Sequence, residues 1–541
     1  MAAGSIGVPA APIPDPRRCL FGSNVTELSR ETGDPPVTVV VSQGDAAPAP
    51  NPPPMTEPLR NDGMRRRAVI VGLEWAALTV LILGVAVAPW VTTPMSRGTS
   101  NVMALVVGSG VALWGAALYL EHRRPHVPLP LMASVGIVLA YGWFVTLNGY
   151  PAPVLGARFL SQGHLVRWLP GAVDRNVARD AMLPLSAALM SGVALIDQAR
   201  KRRVRMLLLG AMAGNGAAMS VVAAISRWGG WSWFATPADA LGGTRFAAFG
   251  YHGNAAAYLE LALPAALLLA ISTRSLSRRA AATVAACLVL VGCATNVSKI
   301  GQFLAVLIVV AFCILGARRI RWDHGRFDRR WAAVAILTVV VMGIGAFGAR
   351  HRWKEVPGEL GADNARALVW GTAAHAAQRA PVFGTGPGGF KVLLPDVAAR
   401  DTPQLGSHWV ITPYAPGHRV TMWMNAHDDA LQTLVEWGPL FGAILGAIVL
   451  WPLVHSLRAA RGARGFRPAM VAVALGTVYA HSLIDFPFQI FAIQLTLSAW
   501  AAIAIGETDD DRDREPEPVE AGTETETAIQ EVERPAVMSG V

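Results

Sequence analysis

About a dozen apolar runs, each close to 20 residues, divide this chain, and the polar stretches between them alternate between strongly basic and not. A helix rising 1.5 Å per residue crosses a hydrocarbon core of about 30 Å in about 20 residues. Lipid offers no partner to a backbone N–H or C=O, so runs of this kind fold as helices that satisfy their own polar groups. The runs fall near 68–90, 101–120, 127–147, 181–197, 204–225, 255–272, 280–296, 300–316, 331–349, 433–454, 469–485 and 488–505. The expected fold is an all-α polytopic membrane protein with about 12 transmembrane helices. Composition agrees: 53% of the residues are hydrophobic and 15% charged, more apolar than a water-soluble chain of ordinary usage.

The formal net charge is +9. In a soluble protein such an excess would suggest nucleic acid, but here the basic residues cluster between spans, where topology accounts for them. Arg65, Arg66 and Arg67 precede the first run and predict a cytoplasmic N-terminus. Every second connection should then be basic, and EHRR at 121–124, ARKRRVR at 199–205, TRSLSRR at 273–279, ARRIRWDHGRFDRR at 317–330 and RAARGARGFR at 458–467 keep that rhythm. The predicted organisation is a Pro/Ala-rich cytoplasmic tail over 1–64, a transmembrane domain over 65–506, and an acidic cytoplasmic tail over 507–541. Both tails are too polar or too proline-rich to bury a core and are expected to be disordered. Three outer connections are long, 148–180, 226–254 and 350–432, the last lying between the ninth and tenth spans. A connection of about 80 residues needs a functional reason. The four cysteines, Cys19, Cys287, Cys293 and Cys313, form no CxxC pair, so they suggest neither a zinc site nor a redox motif.

The large outer loop carries most of the chemistry. Asp363 is a plausible N-cap for the helix DNARALVWGTAAHAAQRA, which Pro381 stops. Arg366 then stands in the first turn, where the helix dipole mildly opposes a cation. An external anion would explain it, and so would pairing with Asp363. PVFGTGPGGF at 381–390 offers backbone amides that would suit a phosphate or a tight turn. At the end of the loop, NAHDDALQTLVEWG sets His427 just before the helix that re-enters the membrane. A near-neutral imidazole there suits a general base or a phosphate ligand. Asp428 and Asp429 suit that helix's first turn by dipole alone. No second histidine lies at helical ligand spacing, which disfavours a metal.

Other outer segments add to this set. In GGTRFAAFGYHGN, Arg245, His252 and Asn254 precede a span. Arg245 on the outer side runs against the positive-inside rule, and a guanidinium there would fork onto phosphate oxygens or snorkel to lipid headgroups. Glu260 lies within the following span, where an ionisable group is costly. TNVSKIG places Lys299 at a membrane surface, and AHSLIDFPFQI places His481 and Asp485 near the outer end of a span, where interface anchoring and helix termination are the plain readings.

Taken in order, FGYHGNAAAYLELALP, TNVSKIGQFLAVL, RALVWGTAAHAAQRAPVFGTGPGGF, NAHDDALQTLVEWG and HSLIDFPFQI resemble the O-antigen ligase and O-antigen polymerase family of membrane glycosyltransferases, across about 245–505. The family usually has Asn-Pro-Asn where this chain has His252, Gly253 and Asn254, Ser-Arg where it has Ser298 and Lys299, and Ala-His-Asn where it has Ala426, His427 and Asp428. The resemblance implies a GT-C-like protein of the bacterial inner membrane with an outward-facing site. Its expected reaction moves a glycan from an undecaprenyl-diphosphate carrier to an acceptor hydroxyl, with inversion and without metal or cofactor. The acceptor would be lipid A core, a further glycan or a protein. His427, Arg366 and Arg245 would be catalytic, and Lys299, Asn254, Asp428 and Glu436 would bind substrate. Membrane lipid is an expected partner and nucleic acid is not. A transporter or flippase of lipid-linked glycan is the alternative. It would place charges and broken helices near the midplane in repeated halves, whereas here the unexplained cations cluster outside and no repeat is visible.

Overall fold

The computed structural model describes residues 57–91, 97–150, 165–166, 168–229, 246–273, 275–322, 343, 365–401, 425–461 and 465–512. Among the described residues the regular structure is helical, apart from one isolated bridge between Phe246 and Phe249. In chain order the helices are α1 (Glu57–Val91), α2 (Arg97–Glu121), α3 (Leu129–Leu147), α4 (Arg175–Gln198), α5 (Arg202–Gly229), α6 (His252–Ser272), α7 (Leu276–Thr295), α8 (Lys299–Trp322), α9 (Ala365–Arg379), α10 (Phe390–Asp401), α11 (Asp429–Ala459), α12 (Phe466–Ser482) and α13 (Phe491–Arg512). Nine of the described helices, α1 to α8 and α11, are long and apolar enough to cross a membrane. Helix α12 and the apolar part of α13, Phe491–Gly506, are shorter and coincide with two further predicted runs. The run at 331–349 lies, but for Gly343, outside the described residues, as do Arg245, Asp363, residues 1–56 and 513–541 of the two predicted tails, and 350–364 and 402–424 of the large outer loop. The inner ends of the tails, 57–64 and 507–512, are not disordered as expected but helical, continuing α1 and α13.

The helices divide by how much of their surface protein covers. In the most apolar window of α6, 78% of the residues are buried, against 28% for α1 and 33% for α3. An apolar helix sheathed by protein lies at the centre of a bundle, and one left bare is solvated by lipid. Helix α6 packs on α5, α7, α8 and α12, and α13 packs on α4. Small residues let these backbones approach: a Cβ at Gly216 would lie 2.4 Å from that of Ala262. Several polar side chains in the interior find partners, which matters where no water competes. Asn215 donates to the hydroxyl of Tyr258 at 2.9 Å and to Ala86 O at 2.7 Å, Ser498 donates to Ala188 O at 2.8 Å, and Trp500 Nε1 donates to Leu261 O at 3.3 Å.

The basic end of the bundle is locked by one carboxylate. Asp197, at the end of α4, accepts from Arg123 Nη1 at 2.8 Å and Nη2 at 3.1 Å, from Trp114 Nε1 at 2.9 Å and from His126 N at 2.7 Å. The preceding residue His122 has φ 53° and terminates α2. His122 N donates to Tyr119 O at 3.2 Å and Arg123 N to Leu118 O at 3.1 Å, the paired bonds of a Schellman motif.

Candidate functional site

At the opposite end, α11 begins with a cap. Asp428 Oδ1 accepts from Leu431 N at 3.0 Å, satisfying an amide that the first turn leaves open. Asp429 reaches sideways instead, accepting from Phe488 N at 2.9 Å and Gln489 Nε2 at 3.0 Å. Nine residues further on the helix breaks at Gly438, with φ 69° and ψ 173°, before Pro439. A side chain there is excluded twice over, by the left-handed backbone and because a Cβ would come within 2.1 Å of Val382 O.

The break strands the last carbonyls of the short segment, and the glycine-rich stretch at 381–390 supplies their donors. Thr385 N and Oγ1 donate to Val435 O at 3.0 and 3.1 Å, and Gly386 N donates to Glu436 O at 2.9 Å. Gly388 N donates to Glu436 Oε2 at 2.8 Å, and Gln432 Nε2 donates to Oε1 at 3.0 Å. The amides of 385, 386 and 388 are thereby committed inside the protein, and of the two readings of this segment the tight turn is the one its hydrogen bonds favour.

His427 stands at the head of this assembly. Its φ is 53°, a left-handed conformation that costs a residue with a Cβ on the order of 1 kcal/mol. The residue is only 8% exposed. Its carbonyl accepts from Trp370 Nε1 at 2.8 Å, which ties it to α9. The ring meets Phe486 edge-on with centroids 4.7 Å apart and Tyr251 at 5.9 Å, while Tyr251 and Phe486 stack on each other at 5.4 Å. His427 Nδ1 lies 3.0 Å from Asp485 Oδ1. From there a buried line of ionisable groups runs inward: Asp485 Oδ2 is 3.8 Å from His481 Nε2, and His481 Nδ1 is 2.8 Å from Glu260 Oε1.

Asp485 occupies the turn between α12 and the 3-10 turn Pro487–Gln489. Burial pushes its pKa up, but contacts with His427 and His481 outweigh burial and hold the carboxyl well below the usual carboxylate range. The start of α6 presses on it as well, since a Cβ at Gly253 would come within 2.2 Å of Asp485 Oδ2. A helix N-terminus carries partial positive charge and favours such a neighbour.

Several residues singled out from the sequence gather at this end. Asn254, 5% exposed, lies in the first turn of α6, and its Oδ1 has no hydrogen-bond partner among the described residues. Lys299 is the first residue of α8. The turn before it is tied to α6 by Asn296 Nδ2, which donates to His252 O at 3.2 Å. Arg366 falls in α9, one helical turn before Trp370. Asp428 and Glu436, expected to bind substrate, both have internal hydrogen-bond duties, one as cap and one as clasp of the glycine segment.

The contact that sequence reading missed is Asp485 with His427. The spacing of His481 and Asp485 was its one available trace: four residues apart they share a helical face, and Glu260 in a neighbouring span is the kind of residue that needs such a partner.

Below these residues a cavity of about 790 Å³ opens among α3, α4, α11, α12 and α13. Its lining is mostly apolar, with Leu131, Val135 and Leu189 among its walls, and it reaches Asp429 and Glu436.

The Wzy_C family model, described as O-antigen ligase, matches residues 284–447. The matched stretch contains Lys299, Arg366, His427, Asp428 and Glu436, while Asn254, Glu260, His481 and Asp485 lie outside it. No curated protein matches the chain.

Proposed function

Starting from a multi-pass membrane protein that carries an O-antigen ligase domain over residues 284–447, we propose that the chain moves a glycan from an undecaprenyl-diphosphate carrier to an acceptor hydroxyl on the outer face of the bacterial inner membrane. The observation that carries this reading is the setting of His427. Its backbone is held in a costly conformation, its ring is boxed by Tyr251 and Phe486, and Nδ1 faces the carboxylate of Asp485. Strain of this kind, where no helix cap accounts for it, clusters at functional sites.

In the proposed reaction the acceptor oxygen attacks the anomeric carbon as the bond to the diphosphate breaks, which inverts that carbon. The acceptor's proton passes to His427 Nε2, and Asp485 orients the ring and stabilises the imidazolium that forms. Negative charge grows on the leaving diphosphate. Arg366, Arg245 and Lys299 are the cations proposed to meet it, in the place a divalent ion would otherwise fill. Asn254, with an open Oδ1 at the same end, is suited to a sugar hydroxyl. The apolar cavity that ends at Asp429 and Glu436 would take part of the polyprenyl tail. Lipid A core, a further glycan or a protein hydroxyl is the proposed acceptor.

The test is glycan transfer in a deletion strain. His427→Ala and Arg366→Ala, made at normal protein levels, should abolish restoration of the mature surface glycan on a gel, and unchanged glycan would remove the catalytic assignment. Reporter fusions within 350–425 should report the non-cytoplasmic side, and a cytosolic location would rule out the reading altogether.

A further inference from the structure

At the basic end of the bundle α5, α6 and α7 leave a groove of about 590 Å³. Gly210, Gly214, Ala281 and Ala285 form its walls, and Arg203 and Arg278 stand at its mouth. From Arg203 to Gly214 the groove follows α5 for about 16 Å at 1.5 Å per residue, about half of a 30 Å hydrocarbon core and so the depth of one leaflet.

The charges at the mouth differ from their neighbours. Lys201 pairs with Glu74 at 3.2 Å, Arg205 donates to Ala199 O and Gly506 O at 2.8 and 3.0 Å, and Arg279 donates to Thr273 O at 3.0 Å. Among the described residues neither Arg203 nor Arg278 meets a carboxylate. Arg203 lies over the ring of Trp75, 5.1 Å from its centroid, a stack that positions a guanidinium while leaving its edge to other acceptors. The glycines point the same way. A Cβ at Gly210 or Gly214 would meet nothing within 4 Å, so protein packing does not require glycine there, although glycine weakens a helix.

We propose that this groove binds an anionic glycerophospholipid of the bilayer, with its phosphate between Arg203 and Arg278 and one acyl chain along the Gly210–Gly214 wall. An apolar channel one leaflet deep under two guanidinium groups matches an anionic headgroup on an acyl chain. A zwitterionic lipid would fit the channel equally well but would bring an ammonium group toward two cations. This site is separate from the glycan-transfer reading and stands or falls without it.

The test uses the full-length protein in detergent, with phosphatidylglycerol and phosphatidylcholine as probes. Phosphatidylglycerol should raise Tm by about 5 °C, phosphatidylcholine should do markedly less, and native mass spectrometry should find phosphatidylglycerol retained. Arg203→Gln with Arg278→Gln should erase the difference between the two lipids. Gly214→Leu, which fills space the protein leaves empty, should lose the retained lipid while its Tm in lipid-free detergent matches or exceeds that of the unaltered protein. Equal shifts with both lipids, undiminished phosphatidylglycerol retention in Gly214→Leu, or retention of a polyprenyl phosphate instead would overturn the proposal.

Discussion

Two described histidines share a left-handed backbone with φ 53°, and a buried aspartate holds the next residue in one case and the histidine itself in the other, yet the two places are built for different ends. His122 closes α2 with a pair of backbone hydrogen bonds and turns its ring to the surface beside Tyr119. Asp197, which holds the following Arg123, accepts from a guanidinium, an indole and a backbone amide, donors whose charge does not change near neutral pH, and the imidazole beside it, His126 at 3.4 Å, is half exposed. His427 ends no helix, so its strained backbone has no capping work to explain it, and its ring is packed inward. Asp485 beside it faces two imidazoles, rings whose nitrogens can either donate or accept a proton. A carboxylate saturated by permanent donors fixes a fold, whereas one set among imidazoles can accompany the movement of a proton.

The largest effect expected from this contrast is on chemistry. His427→Ala should lower the transfer rate by about 10²- to 10⁴-fold, the span of a lost general base, with little change in Tm, while His122→Ala should leave transfer by folded protein intact. Equal losses in both variants would end the distinction. Arg123→Ala should act in the opposite sense, destabilising the protein by about 3 kcal/mol because Asp197 is left buried without its main partner. Denaturation should show that loss, and activity per folded molecule should hold.

Asp485→Asn should cut kcat about tenfold, or about 1.4 kcal/mol of barrier, with donor KM little altered, since the amide keeps the shape but not the charge. The same variant tests the acid limb of stability. Asp485 has a depressed pKa in the folded protein, so its contribution is present above the ordinary carboxylate range and is lost as pH falls through that range toward the depressed value. Thermal unfolding from pH 6 down to pH 3 should therefore be less steep in Asp485→Asn. The smallest effect is His122→Gly, expected to raise stability by up to about 1 kcal/mol by relieving a left-handed residue where glycine is the usual choice.

Much of the helical frame was legible because bilayer thickness translates almost directly into run length, and eleven of the twelve apolar runs coincide with described helices. Local signals also served: Asp428 begins a helix, as its position in the first turn of an apolar run suggests, and the motif match covers Lys299, Arg366 and His427. The site itself was legible only in pieces. PVFGTGPGGF reads equally as an anion cradle or a turn, and only the break at Gly438, which leaves two carbonyls in need of donors, decides between them. His481 and Asp485 look like helix-end residues until folding sets them between Glu260 and His427, a contact between elements far apart in sequence. Nothing in NAHDDA announces a left-handed histidine, because that conformation is imposed by Trp370, Tyr251 and Phe486 from three other segments.

The break at Gly438 has a mechanical consequence. Below it, Pro439–Ala459 is about 20 residues, or about 30 Å at 1.5 Å per residue, a rod cut to the thickness of the hydrocarbon layer. Above it, Asp429–Trp437 is a separate stub clasped by the glycine segment. When the bilayer thins or thickens, the rod can tilt to match it, and the joint lets that tilt pass without rotating the stub. Length matched to the bilayer and orientation of His427 are thus assigned to different pieces of one helix, the rod below the break and the clasped stub above it.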